Sequence, residues 1–460
     1  MARELTRGSP VRLIFLFALP LLLGNAFQQF YSMADTLIVG RTLGVDALAG
    51  VGSTWSILFL FLGFLMGMAS GFSITCAQRY GARDKPGLRR SFCAALLLGA
   101  GMACALTAGG VAAARPLLAF INTPPEIFGH AHAYLRVTMW GAGATMLYNV
   151  LSATIMALGD SRTPLFFLVL ACLLNIALDL VFILRCGMGV EGAALATVIS
   201  QGFSGLCCLL FIVRRLPVLR PRARDWRSLD PALFLRHIRM GLPMGFQASV
   251  IALGAVIIQT ALNRLGAEPV AAFTAAMRID SIGIMPLMSF GLAMATYTGQ
   301  NFGAGRMDRI RQGVRQASAL SLAYAAAAAA LCIFAGAPLV RIFVGAGQER
   351  VVELGREFLF VQAVMYWALA LLFIIRNTLQ GLGKSMTPTI AGVMELVMRA
   401  FAALALAPSL GFLGVCLASP LAWVGSLVPL SVAYALWTRR QGRTDGAPPA
   451  ATGTERPRRN

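Results

Sequence analysis

"LGDSRTP", residues 158–164, returns almost unchanged as "LGKSMTP", residues 382–388, a spacing of 224 residues. Three more pairs of similar stretches follow the same order at nearly the same spacing. They are "ALP" at 18–20 with "GLP" at 241–243, "AQRYGARD" at 77–84 with "GQNFGAGR" at 299–306, and "GVEGAALAT" at 189–197 with "GFLGVCLAS" at 411–419. Ordered matches at one spacing indicate an internal duplication, which decides the architecture of the chain.

The composition places both copies in a membrane. Of 460 residues, 58% are hydrophobic and only 13% are charged, and the mean hydropathy is +0.73, far more apolar than a soluble domain. Stretches of about 20 residues with few or no charges recur along the chain, enough to cross roughly 30 Å of hydrocarbon as a helix. We predict twelve such spans: 13–38, 52–76, 92–113, 134–157, 164–184, 192–213, 241–262, 270–298, 315–335, 356–380, 388–408 and 412–437.

Each copy therefore holds six spans, an even number, and the second copy enters the membrane in the same orientation as the first. The repeats are then parallel rather than inverted. We predict an all-α integral membrane protein with twelve transmembrane helices in two six-helix lobes that face each other across a cleft. The predicted segments are a cytoplasmic N-terminal segment 1–12, an N-lobe 13–213, an inter-lobe linker 214–239, a C-lobe 240–437 and a disordered basic tail 438–460.

The net charge of +20 reflects membrane topology in this interpretation, not nucleic-acid binding. Most of the 39 Lys and Arg fall in the N-terminal segment, the connections on one side and the tail, as the positive-inside rule describes. We therefore expect both termini in the cytoplasm, an inner (plasma) membrane location, contact with membrane lipids and no nucleic-acid partner. Nine Cys without metal spacing and three His at helix ends predict no metal site, no cofactor and no enzyme active site.

The first span carries polar residues on one helical stripe: Asn25, Gln28, Gln29, Ser32, Asp35 and Thr36. An ionised side chain at bilayer depth costs about 2.5 to 3.5 kcal/mol, so this stripe must face protein or water. Pro20 precedes it by one turn, either as a static packing kink or as a hinge.

The fifth span adds a second acid. In "NIALD", Asn175 and Asp179 lie at i and i+4 on one face. The fourth and sixth spans also present polar faces, formed by Thr145, Asn149 and Ser152 and by Thr197, Ser200, Gln201 and Ser204. Such a lobe interior can hold a small cation in a cage of oxygens, or a proton shared by two acids. Hydrogen bonds that only join the helices are the structural alternative.

The second copy shows that the fold does not require these acids. The repeat replaces Asp35 by Ile258 and Asp179 by Ala403. The C-lobe instead has its own intramembrane charges: Arg278, Asp280, Arg376, Glu395 and Arg399. Since Glu395 and Arg399 lie at i and i+4, they can neutralise each other, and we favour a charge-paired structural network over a substrate site.

Together these features resemble the multidrug and toxic compound extrusion (MATE) transporters. The resemblance rests on two six-span lobes, on the Asp before "TLIVGRTLG", on "NIALD", on "GAR" and "GQNFGAG" after the second and eighth spans, and on the paired "LGDSRTP" and "LGKSMTP". It extends from about residue 10 to residue 437. It implies a cation-coupled antiporter, driven by Na⁺ or H⁺, that exports mostly cationic amphiphilic compounds by alternating access.

The resemblance also implies which residues act. The coupling site corresponds to Asp35, Asp179, Asn175 and Thr197, with Asn149 nearby. We expect small-molecule substrates in a cleft lined by Gln28, Gln29, Ser32, Ser152, Gln201, Met33 and Met156, and a monomeric protein. The seventh span has no acid, so this chain is nearer the branches of the family that couple through the first lobe.

Two other functions remain open at this point. A flippase for lipid-linked oligosaccharides, from the same broad superfamily, requires a cationic cleft, to which Arg278, Arg376 and Arg399 would contribute. The acids of the first half argue against it. A membrane-embedded transferase is the alternative of another class. It lacks support because the chain shows no paired D-x-x-x-D motif and no nucleophile elbow.

Overall fold

The structure, a computed structural model, describes residues 4–344 and 347–445. Residues 1–3 of the predicted N-terminal segment and 446–460 of the predicted tail lie outside this part. The membrane-spanning helices, numbered by predicted span, are α1 Pro10–Leu43, α2 Trp55–Gly81, α3 Lys85–Phe120, α4a Pro125–Trp140, α4b Ala142–Ala157, α5 Arg162–Leu180, α6 Gly189–Arg215, α7 Pro231–Asn263, α8 Ala267–Gly303, α9 Met307–Val344, α10a Glu349–Val364, α10b Tyr366–Gly381, α11 Met386–Phe401 and α12 Ala418–Asp445.

The predicted fold class is confirmed. Ten of the described helices are long and apolar enough to cross a membrane alone, and α10a and α10b form an eleventh span that is bent by 49°. The two halves of α4, of which α4b is a shorter apolar helix, lie where the sequence predicts the remaining span. They meet at Gly141, where an added Cβ would lie 2.0 Å from the Val198 side chain of α6. The close approach of α6 therefore excludes any larger residue at this break.

Most helices are longer than the apolar spans that the sequence predicts. For example, α3 covers Lys85–Phe120 where the predicted span is 92–113. The reason is that the run of apolar side chains ends at the membrane surface, whereas helical backbone hydrogen bonding continues through polar turns. The same effect makes α12 helical through Asp445, so the first residues of the predicted disordered tail are helical.

The two lobes meet most closely on the side where α1 begins and the linker 214–239 runs, here named the linker side. Gly81 at the end of α2 contacts α8 so closely that a Cβ would lie 1.9 Å from the Gln300 carbonyl oxygen. Gly303 at the end of α8 stands in the same relation to the Gln78 carbonyl. The repeat relates these two contacts, which form a pseudo-twofold seal.

Glutamine side chains reinforce this seal. Gln78 Nε2 donates to the Gly381 carbonyl at 2.9 Å, and Gln300 Nε2 donates to the Ala157 carbonyl at 2.8 Å. Both carbonyls lie at the linker-side ends of the tenth and fourth spans, at equivalent positions of the repeat. The duplicated "AQRYGARD" and "GQNFGAGR" stretches thus hold the lobes together on the linker side.

The N-terminal segment also crosses from one lobe to the other on this side. The Leu5 amide donates to Gln300 Oε1 at 2.9 Å, and Arg309 Nη2 donates to the Gly8 carbonyl at 2.9 Å. The linker is anchored on the N-lobe, since Arg89 of α3 forms an ion pair with Asp225 at 2.8 Å. Both connections bind the lobes where they already pack closely.

Candidate ion-coupling site

The two N-lobe acids, 144 residues apart in sequence, meet inside the lobe. Asp35 lies on α1 and Asp179 lies on α5, and their carboxyl groups are within hydrogen-bonding reach of each other. The two helices pack against each other at Gly24 of α1, which faces Leu165 and Leu168 of α5. The i and i+4 spacing of "NIALD" then directs Asp179 toward α1. Asp179 is fully buried.

Asn175 and Thr197 connect Asp179 to α6. With its nitrogen directed at Asp179, the Asn175 amide donates to Oδ2 at 2.9 Å and accepts from the Thr197 backbone N–H at 3.1 Å. In the opposite orientation Asn175 Nδ2 lies 3.4 Å from Thr197 Oγ1. The first orientation satisfies both ends of the amide, and it holds the Asp179 carboxylate in place.

Two tyrosines complete the group, and the sequence reasoning missed both. The Tyr31 hydroxyl lies 2.9 Å from Thr197 Oγ1, which joins α1 to α6. Tyr31 is four residues before Asp35, so helical spacing could have found it. Tyr134 of α4a is buried and lies close enough to Asp35, Tyr31 and Asp179 to interact electrostatically. Nothing in the sequence pointed to Tyr134, because it lies at the edge of the predicted fourth span and has no helical spacing to either acid.

Each acid keeps one buried oxygen without a partner among the described residues, Oδ1 of Asp35 and Oδ1 of Asp179. Because unsatisfied buried carboxylate oxygens are costly, they favour a site that binds a cation or a proton. The surrounding hydroxyl and amide oxygens are hard ligands that suit Na⁺. The helix also departs from α-geometry just after Asp179, at the π-helical turn Val181–Arg185, a feature frequent at functional sites.

Comparison with known proteins gives this geometry its context. The MatE family matches twice, over residues 20–181 and 243–404, one match in each lobe. The chain belongs to the MATE (MatE) transporter family. It is similar to a probable multidrug resistance protein, YpnP, of Bacillus subtilis, with 33% identity over 67% of this chain and 69% of that protein. YoeA, another probable multidrug resistance protein of B. subtilis, is 26% identical over 96% of this chain and 97% of its own.

A solved structure shares the whole architecture. It is the outward-facing conformation of a multidrug resistance MATE family transporter of the MOP superfamily, with a TM-score of 0.86 and 25% identity over 97% of this chain and 98% of that one. Because the family consists of transporters, this MATE protein is a multi-pass membrane transporter and not an enzyme.

Asn149, the remaining residue predicted for the coupling site of this MATE transporter, is engaged within its own helix. Asn149 lies in α4b, where its Nδ2 donates to the Thr145 carbonyl of its own helix at 2.9 Å. This bond occupies its amide within α4b, in the half of the span nearer the linker side. Tyr134, in the outer half of the same span, approaches the two acids instead.

The predicted cleft residues differ in exposure and position. Gln28, Gln29 and Met33 are exposed along α1, and Ser32 is half-buried. The Ser152 hydroxyl is buried and donates to the Asn149 carbonyl at 3.2 Å. Met156 packs between the lobes near the linker side, and Gln201 is half-buried on α6.

The C-lobe charges of this transporter form separate pairs, not the single network that the sequence favours. Glu395 forms its ion pair with Arg376 of α10b, not with Arg399 one turn along its own helix. Packing between helices therefore prevails over i and i+4 spacing. Asp280 accepts a hydrogen bond from the Tyr366 hydroxyl at 2.7 Å, and Arg278 is exposed.

Proposed function

We propose that this transporter exports diverse, mostly cationic amphiphilic compounds in exchange for Na⁺ or H⁺, which binds between Asp35 and Asp179. The observation that carries the proposal is the meeting of two acids from different helices, each with a buried oxygen that has no partner in the described part of the chain. The names of the relatives, which are multidrug resistance proteins, support the efflux of drugs.

Electrostatics provides the coupling. Two carboxylates in contact inside a lobe repel each other strongly if both are charged. A bound proton, a bound cation or a positively charged substrate is therefore needed to neutralise part of this charge. If the coupling ion favours one conformation of the N-lobe and the substrate favours the other, exchange follows from the difference in affinity. Asn175 and Thr197 orient Asp179 for either ion.

Transport into proteoliposomes tests the proposal. Ethidium movement is measured with a Na⁺ gradient alone and with a pH gradient alone, for the native protein and for Asp35→Asn. We expect Asp35→Asn to abolish coupled transport while the protein still inserts and folds. Asp46→Asn is the matched control, because Asp46 is an exposed acid on the short helix Val45–Ser53 that follows α1. Normal ethidium export by Asp35→Asn would refute the coupling role.

We further propose a monomer in the inner (plasma) membrane with both termini cytoplasmic, which makes the linker side the cytoplasmic side. A cavity of about 1220 Å³ on that side supports contact with anionic lipid headgroups. Basic side chains from both lobes line it: Arg79, Arg90, Arg236, Arg239 and Lys384. The seal between α2 and α8 then closes the transporter toward the cytoplasm.

A further inference from the structure

The repeat places a positive charge in the C-lobe one helical turn from the point where the N-lobe holds a carboxylate. Both α5 and α11 begin after the matched "LGDSRTP" and "LGKSMTP" stretches, so Asn175 corresponds to Arg399 and Asp179 to Ala403. In both lobes a π-helical turn follows Asn175 or its equivalent, at Val181–Arg185 after α5 and at Ala402–Leu406 after α11. One turn before the position that corresponds to Asp179, the C-lobe therefore carries a guanidinium where the N-lobe carries an amide.

This part of the C-lobe carries more positive than negative charge. Arg376 is buried and pairs with Glu395, and its Nη2 also lies 3.4 Å from Ser426 Oγ. Arg399 is close enough to Arg376 to repel it, and its Nη1 donates to the Ile251 carbonyl of α7 at 3.3 Å. Among the described residues, two neighbouring guanidinium groups thus have a single carboxylate beside them, and it pairs with Arg376 alone.

Both arginines retain unused donors. Neither Nε of Arg376 nor Nε of Arg399 has an acceptor among the residues that the structure describes. The other buried acid that the structure describes in this lobe, Asp280, accepts from the Tyr366 hydroxyl and forms no ion pair with either arginine. An excess positive charge at membrane depth is costly unless an anion balances it. These free donors and the local positive charge suit a further acceptor that is negatively charged.

We infer that the C-lobe contains a carboxylate-binding site formed by Arg399 and Arg376, and that substrates with a carboxylate bind there. A carboxylate is planar and carries one charge, which matches both the fork of a guanidinium and the excess of one positive charge. A compound with both an amine and a carboxylate can then be attracted to the acids of the N-lobe and to the arginines of the C-lobe. This inference rests on the proposed export function for its biological meaning, but the site can be tested by binding alone.

The test compares two ligands that differ only in the carboxylate. Norfloxacin and decarboxylated norfloxacin are titrated against the purified full-length protein, and their dissociation constants are measured by fluorescence. We expect the native protein to prefer norfloxacin, and we expect Arg399→Gln to reduce that preference about tenfold, as loss of one charge-assisted hydrogen bond predicts. Arg399→Lys should retain part of the preference, because it keeps the charge but not the planar fork.

Two controls keep the result interpretable. Arg278→Gln removes an exposed arginine of the same lobe and should leave the preference unchanged. Ethidium, which lacks a carboxylate, should bind native and Arg399→Gln protein equally, and this shows that the variant is folded. If Arg399→Gln keeps the native ratio between the two ligands, the carboxylate site is refuted. Failure of ethidium export by the native protein would instead refute the proposed function and leave this binding result standing.

Discussion

At the scale of single residues, the Tyr31 hydroxyl offers a direct test of the candidate site. This hydroxyl forms a hydrogen bond between α1 and α6, at 2.9 Å from Thr197 Oγ1. Tyr31→Phe removes this hydrogen bond but keeps the ring, so we expect folding stability to fall by only about 1 kcal/mol. We expect ion-coupled ethidium transport to fall several-fold, because Thr197 loses the partner that positions it beside Asn175.

The measurement is the initial rate of ethidium transport in proteoliposomes, together with thermal unfolding in detergent. Tyr148→Phe is the matched control, since Tyr148 packs in the apolar cluster at the linker side of α4b. Equal transport rates for Tyr31→Phe, Tyr148→Phe and the native protein would exclude Tyr31 from coupling.

These residues also show how far sequence reasoning reaches. Helical spacing groups Asn175 with Asp179 and would have found Tyr31, because all such relations lie within one helix. Contacts between helices need the packing itself. Spacing of i and i+4 therefore predicts an ion pair between Glu395 and Arg399. In the structure Glu395 instead forms its ion pair with Arg376, which lies on another helix.

At the scale of helices, the seal on the linker side depends on glycine. A Cβ on Gly81 would lie 1.9 Å from the Gln300 carbonyl oxygen, so Gly81→Ala must push α2 and α8 apart. We expect a loss of stability of about 1 to 3 kcal/mol, as for other overpacked contacts. Thermal unfolding in detergent measures it. Gly101→Ala on α3 is the control, because nothing lies within 4 Å of its added Cβ, and alanine there should be neutral or stabilising. An equally stable Gly81→Ala protein would contradict the tight seal.

A second prediction at this scale concerns the anchor of the linker and its dependence on pH. Burial alone would raise the pKa of Asp225, but the Arg222 backbone N–H and the Arg89 guanidinium hold it below its usual value. The ionised form therefore stabilises the docked linker. This contribution is complete above the unfolded pKa of about 3.9, and it is lost as the pH falls through the lower folded pKa.

Asp225→Asn should accordingly destabilise the protein at pH 7, and this difference from the native protein should be smaller at pH 3, which lies below the unfolded pKa. Hydrogen exchange of residues 220–230 at both pH values measures the docking of the linker. Asp308→Asn serves as the control, since the Asp308 side chain is mostly exposed. A difference between Asp225→Asn and native protein that is the same at both pH values would contradict the role of the ion pair.

At the scale of the whole molecule, duplication explains what was predictable. Two copies of one six-helix unit predict the lobes, their parallel relation and their equivalent helices from sequence alone. Duplication does not predict function, because the copies have diverged at the proposed sites: Asp35 corresponds to Ile258, and Asn175 corresponds to Arg399. The symmetric parts hold the lobes together, and the asymmetric parts carry the proposed chemistry.

The N-terminal segment is the asymmetric element that crosses between the lobes, and Arg309 holds it. Arg309 is buried; its Nη2 donates to the Gly8 carbonyl at 2.9 Å, and its Nε donates to Asn301 Oδ1 at 3.1 Å. We expect Arg309→Ala to release the segment, so that amide hydrogen exchange of residues 4–9 rises more than tenfold, as the loss of charged hydrogen bonds of about 1.5 to 3 kcal/mol predicts. Arg306→Ala, which removes an exposed arginine nearby, should leave that exchange unchanged.

Because the segment spans the seal, its release should also favour opening on the linker side, seen as faster exchange at the ends of α2 and α8. Native exchange rates in Arg309→Ala would mean that the apolar contacts of Leu5 and its hydrogen bond to Gln300 hold the segment in place without Arg309.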